Sequence, residues 1–119
     1  MLRALRGATT VDQDTPEQIE ERVVALLEEL FRRNEVHHDH LVSIWFTATD
    51  DLHCAFPATA ARTLGLGNVP LLCARELDIV GGTPRCIRVL VHFHTSKERD
   101  ELRHVYLERA AALRDDLPG

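Results

Sequence analysis

Cys86-Ile87-Arg88-Val89-Leu90-Val91-His92-Phe93-His94 decides the fold of this chain. Successive side chains of a strand point to opposite faces. One row, Ile87, Val89, Val91 and Phe93, is wholly apolar and belongs against a core. The other row, Cys86, Arg88, Leu90, His92 and His94, is mixed. Arg88 therefore points away from the most apolar face, towards a cleft or a neighbouring subunit. Arginine is rarely buried without a partner, and its planar fork matches a carboxylate.

Outward from this strand, charges recur inside apolar runs. Arg6 lies in Leu2-Arg3-Ala4-Leu5-Arg6-Gly7-Ala8-Thr9-Thr10, predicted as a strand over residues 2–10 in which Gly7 weakens the strand or marks a close backbone approach. Glu76 follows Val69-Pro70-Leu71-Leu72-Cys73-Ala74-Arg75, with a short strand over Val69 to Ala74. Arg62 lies in a short helix from Pro57 to Leu64, closed by Gly65. Arg6, Arg62 and Arg88 are either structural ion pairs or a receptor for an anionic ligand. Composition alone leans slightly towards ion pairs.

The remaining elements follow from local rules. Thr15 can cap a helix, Pro16 fits its first position and Gln18 can complete a capping box. Ile19, Val23, Leu26, Leu27, Leu30 and Phe31 then fall on one stripe, opposite Glu20, Glu21, Glu28, Glu29 and Arg32, so a long amphipathic helix ends near Asn34. Val42 to Thr49 is rich in strand formers, and Gly81-Gly82-Thr83-Pro84 is a turn. Ser96 to Leu113 has two readings: one continuous helix, or a helical turn before a strand at Val105-Tyr106-Leu107. Strands and helices interleave without strict βαβ order, which predicts an α+β fold with a mixed sheet.

The chain has 119 residues, enough for one domain over 1–119 with a core, but near the size where oligomerisation helps. Net charge is −5 and no basic stripe exists, which argues against nucleic acid. No apolar run reaches the ~18 residues of a membrane span. Arg3 and Arg6 are followed by Gly7-Ala8-Thr9-Thr10 and Asp12, not by a signal-peptide core. Cys54, Cys73 and Cys86 are odd in number and lack CxxC spacing, which suits a reducing cytoplasm.

Other candidate chemistry is weaker. His37-His38-Asp39-His40 resembles a metal cluster, yet no Cys or carboxylate follows at finger-like spacing, so these histidines are read as solvated and no metal is expected. Cys73 has no evident partner base and is read as an inert thiol. Gly81-Gly82 lacks a phosphate-loop pattern. Tyr106, with Arg103 and His104, is either surface or part of a binding wall.

Several of these stretches together resemble one family. Arg6-Gly7-Ala8-Thr9-Thr10-Val11, Leu52-His53-Cys54-Ala55-Phe56-Pro57-Ala58, Cys86-Ile87-Arg88-Val89 and Arg103-His104-Val105-Tyr106-Leu107-Glu108 are similar, in order and spacing, to the monofunctional trimeric chorismate mutases of the small α/β type. The resemblance runs from about Leu2 to Leu117. It implies a mixed five-stranded sheet with helices outside and three subunits in a pseudo-barrel with interfacial sites. Val105-Tyr106-Leu107 is then strand.

The resemblance also implies roles. Arg6, Arg88 and Tyr106 surround the enolpyruvyl carboxylate of chorismate, with Arg88 reaching the ether oxygen of the breaking bond. Glu76 and the Cys73 backbone or thiol, beside Leu72, meet the ring hydroxyl. Phe56, Ala58, Thr59 and Arg62 come from the adjacent subunit, and Leu113 and Arg114 lie on a tail near the mouth. Three features depart from the family pattern: Thr59 stands where a lysine is frequent, Asp115 replaces a frequent proline, and the stretch between Arg62 and Cys73 is one residue shorter than in some relatives. The implied reaction, chorismate to prephenate on the way to phenylalanine and tyrosine, is a unimolecular rearrangement and requires no cofactor. Two alternatives share the architecture: a trimer that only binds a small carboxylate, and an enamine or imine deaminase. Glu76 opposite Arg88 favours the mutase.

Overall fold

The long helix begins where its cap dictates. In the computed structural model, which describes residues 1–112, Thr15 Oγ1 accepts the Gln18 amide at 3.2 Å and Pro16 opens α1 (Pro16–Asn34). The expected capping box does not form. The Thr15 amide already donates to the Gln13 carbonyl at 2.9 Å, so Gln18 Oε1 accepts instead from the amides of Gln13, at 2.7 Å, and Asp12. The predicted stripe is buried throughout. Asn34, also buried, closes the helix: its side chain donates to the Leu30 and Arg103 carbonyls and accepts the Arg103 amide at 2.7 Å.

Five strands form one mixed sheet: β1 (Leu2–Thr10), β2 (Leu41–Ala48), β3 (Leu71–Arg75), β4 (Cys86–His94) and β5 (Val105–Tyr106). Their order is β3-β2-β4-β1-β5. β4 lies antiparallel to both β1 and β2, while β3 joins β2 and β5 joins β1 in parallel. α1 and the short α2 (Pro57–Thr63) cover one face, where Leu5, Ile44, Phe46, Ile87, Val91 and Phe93 are fully buried. β3 starts two residues later than expected because Pro70 has no amide for the ladder; its carbonyl accepts the Ile44 amide.

The continuous helix over Ser96 to Leu113 is not found in the described part of that segment. A 3-10 turn at Arg99–Glu101, capped by Glu98, gives way to β5 and then to a second 3-10 turn at Glu108–Ala112. Asn34 takes both the amide and the carbonyl of Arg103, the groups a helix would need there, and Glu108 is left-handed with φ 53°.

Gly7 marks a close approach. A Cβ built there would stand 2.9 Å from Leu30 Cδ1 and 3.1 Å from the Val105 carbonyl oxygen. Its bareness lets α1 and β5 press against β1. Gly7→Ala is expected to cost about 1–3 kcal/mol of stability, the usual range for overpacking, measured as a lower denaturant midpoint with an unchanged slope.

Candidate active site

The face of the sheet away from the helices is open except where the Glu108–Ala112 turn covers Ala8 and Cys86, and its side chains follow from the registers. One row crosses all five strands: Ala74, Thr47, Arg88, Ala8 and Tyr106 are successive Cα partners. The next row is Leu72, Trp45, Leu90 and Arg6. A charged and an aromatic side chain thus stand two strands apart with a small alanine between them. Arg6, Gly7, Trp45, Thr47, Arg88, Val89, Leu90 and Tyr106 line a cavity of about 330 Å³.

Glu76, just beyond β3, is drawn to this face because its amide continues the ladder to the Ala48 carbonyl at 3.0 Å. Its Oε2 lies 3.3 Å from Arg88 Nε and accepts the Thr47 hydroxyl at 2.7 Å. The Arg88 side chain is half exposed, so it remains available to a ligand while paired. Arg6 has no carboxylate partner among the described residues, although it is half-buried, and neither does Arg62. The ion-pair reading therefore accounts for Arg88 but not for Arg6 or Arg62. The Arg6 amide, for its part, donates to His104 Nδ1 at 3.0 Å.

On the same face as the arginine, two residues earlier in β4, Cys86 is buried with Ala8 and Ala110 against Tyr106. Burial pushes its thiol up, opposed by the neighbouring Arg88 charge, so it packs as a neutral side chain.

The remaining predicted residues divide into groups. Leu72 is half exposed on the open face beside Trp45. The Cys73 side chain packs with the core on the opposite face, next in register to Phe46, so its thiol faces away from Arg88. Of the two possibilities expected for Cys73, only the backbone remains close to the open face. Cys73 and Phe56 help line a second, wider cavity of about 640 Å³, whose rim carries the Arg75–Asp50 pair at 2.6 Å. Phe56 is 71% exposed, a large aromatic left uncovered by the described residues.

Ala58, by contrast, is buried in the core, which leaves only its backbone for contact. Thr59 and Arg62 are exposed on α2. None of Phe56, Ala58, Thr59 and Arg62 lines the Arg88 cavity within one chain. Leu113, Arg114 and Asp115 lie outside the described residues.

The loop that carries Phe56 is tied down by Asp14. Its carboxylate accepts the amides of His53, at 3.0 Å, and Cys54, at 3.3 Å, and the Cys54 thiol at 2.9 Å. The thiol's hydrogen bond holds Asp14 below the usual carboxylate range, while desolvation and Asp14 itself push Cys54 up. Cys54 thus favours the protonated, donating form, which tethers the loop and lowers its nucleophilicity.

His37 and His40 meet edge to face, with ring centroids 5.7 Å apart. Among the described residues no three His, Cys, Asp or Glu side chains are placed to hold a metal ion. No helix there is long and apolar enough to cross a membrane. Thr47 and Trp45, which line the arginine cavity, were not singled out from sequence. The alternation of β2 could have found them, since Ile44 and Phe46 mark its core face.

Comparison with known proteins agrees with this geometry. The family model for chorismate mutase type I matches residues 2–117. Chorismate mutase AroH of Bacillus subtilis (strain 168) is 44% identical over 118 residues, covering 98% of this chain and 93% of the relative. Chorismate mutase AroH of Thermus thermophilus is 47% identical over 118 residues, covering 98% and 97%. A solved chorismate mutase from Clostridium thermocellum superposes with a TM-score of 0.90 at 42% identity, covering 92% of this chain and 97% of that one. Family, relatives and fold coincide over nearly the whole length, and the chain belongs to the type I chorismate mutases.

Proposed function

We propose that this protein rearranges chorismate to prephenate on the open sheet face, as a homotrimer whose sites lie between subunits. The observation that carries the reading is the arrangement of Arg88 and Glu76, 3.3 Å apart, beside a cavity shared with Arg6 and Tyr106. The reaction breaks one C–O bond and forms one C–C bond within a single molecule, so it needs no nucleophile and no proton transfer. Its barrier falls when a flexible dianion is held in its compact chair, which removes conformational entropy beforehand. It falls further when a fixed cation meets the charge that grows on the ether oxygen.

Arg6 and Tyr106 fix the enolpyruvyl carboxylate, Arg88 reaches both that carboxylate and the ether oxygen, and Glu76 receives the ring hydroxyl together with the Cys73 backbone, beside Leu72. Phe56, Ala58, Thr59 and Arg62 close the site from the neighbouring subunit, with Leu113 and Arg114 at the mouth. Two features support an assembly. The open face carries exposed Leu72, Trp45 and Leu2, an apolar surface that a partner would cover. Phe56, Thr59 and Arg62 also lack any contact with the Arg88 cavity in a single chain. We read residues 1–119 as one catalytic domain acting in the cytoplasm.

Purified protein mixed with chorismate is expected to remove its ultraviolet absorbance without added metal or nucleotide and to sediment as a trimer. An unchanged spectrum sinks the assigned reaction. Turnover by a stable monomer at micromolar concentration sinks the interfacial site instead.

A further inference from the structure

Thr47 stands at the centre of the open face with its hydroxyl committed. It donates to Glu76 Oε2 at 2.7 Å, and Arg88 Nε approaches the same oxygen at 3.3 Å. Thr47 and Arg88 are Cα partners across the β2–β4 ladder, so the hydroxyl sits beside the arginine stem. The other carboxylate oxygen, Oε1, accepts only the Leu77 amide among the described residues, at 3.3 Å. Glu76 itself lies past the end of β3, where a backbone bond fixes its amide but nothing in the ladder fixes its side chain.

We infer that Thr47 is a positioning residue for the rearrangement. Its hydroxyl holds the Glu76 carboxylate in a pose that leaves the Arg88 guanidinium aimed into the cavity. This rests on the roles proposed for Glu76 and Arg88. A hydrogen bond to an ionised oxygen is stronger than a neutral one. Two donors sharing Oε2 divide its negative charge. Without the hydroxyl, the carboxylate closes further on Arg88, and the cation is turned from the substrate and partly neutralised. The loss falls on the transition state, where the free guanidinium is needed, more than on binding of the ground state.

A purely structural threonine predicts something different, because valine has the same shape and is as good a strand former. The experiment uses Thr47→Val, Thr47→Ser, Glu76→Ala and the double variant Thr47→Val/Glu76→Ala, with steady-state kinetics on chorismate and thermal melting of each. Thr47→Val is expected to lower kcat about 10- to 100-fold, the size of a lost hydrogen bond to a charged group, with KM little changed and the melting temperature retained. Thr47→Ser restores most of the turnover. In the Glu76→Ala background, Thr47→Val costs nothing further, the non-additivity expected of one residue acting through another.

Full turnover of Thr47→Val, or losses that multiply in the double variant, overturn the inference while leaving the site reading standing. A wild-type protein inert towards chorismate, or a fully active Glu76→Ala, overturns the site reading and this inference with it.

Discussion

Arg88→Ala is expected to lower kcat by roughly a hundredfold to a thousandfold, about 2.7–4 kcal/mol, the cost of removing one preorganised donor from developing negative charge. Folding should survive. The Arg88–Glu76 pair is half exposed on the arginine side, and exposed pairs contribute about 0–1 kcal/mol. Catalysis and stability thus separate at this residue, because the charge it meets exists mainly in the transition state. Arg88→Lys should also be poor, since a point charge on a flexible stem cannot span carboxylate and ether oxygen as a planar fork does. Arg62→Ala, on the exposed side of α2, should act mainly on KM, because a solvated contact binds substrate and transition state about equally. Steady-state kinetics on the three variants, with circular dichroism, decides the matter. A folded Arg88→Ala with near wild-type kcat removes the electrostatic role assigned to it.

Phe46→Ala should be the most damaging single change to the fold. Phe46 is among the largest fully buried side chains, set between Cys73 and Val89 in the sheet and beneath the helices. Truncating a buried phenylalanine costs about 3–5 kcal/mol, a large part of the roughly 5–15 kcal/mol that holds such a domain together. At roughly 4 °C per kcal/mol, the melting temperature falls by more than ten degrees, and by more at low protein concentration if association contributes. Phe46→Leu, which refills most of the volume, should recover most of the loss. Equal melting temperatures for wild type and Phe46→Ala at matched concentration would show that the apolar layer under β2 is not what stabilises the sheet.

Elements written by one dominant period were legible in the sequence. The Cys86–His94 strand and the Pro16–Asn34 helix have the expected ends, because two-fold alternation and a six-residue apolar stripe each leave one solution. Residues 96–112 were legible only in part: the local pattern left a continuous helix and a helical turn before a strand at Val105 equally open, and the family resemblance chose the second, which is the one found. Lys97, Glu98, Arg99, Asp100 and Glu101 are compatible with a helix, and what prevents one is Asn34, far away in the chain, binding both backbone groups of Arg103.

The site divides in the same way. Arg6, Glu76 and Arg88 stood out as charges inside apolar runs. The orientation of Cys73 was hidden because Leu71, Leu72, Cys73 and Ala74 are apolar on both faces, so alternation distinguishes nothing. For Thr47 the alternation of β2 reveals the face but not the role. A threonine in a strand is ordinary, and only its 2.7 Å bond to Glu76 sets it apart.

The pairing of β1 has a consequence for how the protein comes into being. β1 opens the sequence, yet its neighbours are β4 and β5, and the Met1 amine donates to the Thr95 carbonyl 94 residues away. On the ribosome, the segment bearing Arg6 emerges long before either strand that will flank it. Until Arg88 and Tyr106 have been synthesised, it has no ladder to join and no cavity to line. Contacts so distant along the chain slow folding, because the loop entropy is lost before the pairing rewards it. The site is therefore among the last parts of the molecule to exist. A nascent chain stalled before β4 exposes an unpaired strand rich in apolar residues, the kind of edge that chaperones shield and that aggregation exploits.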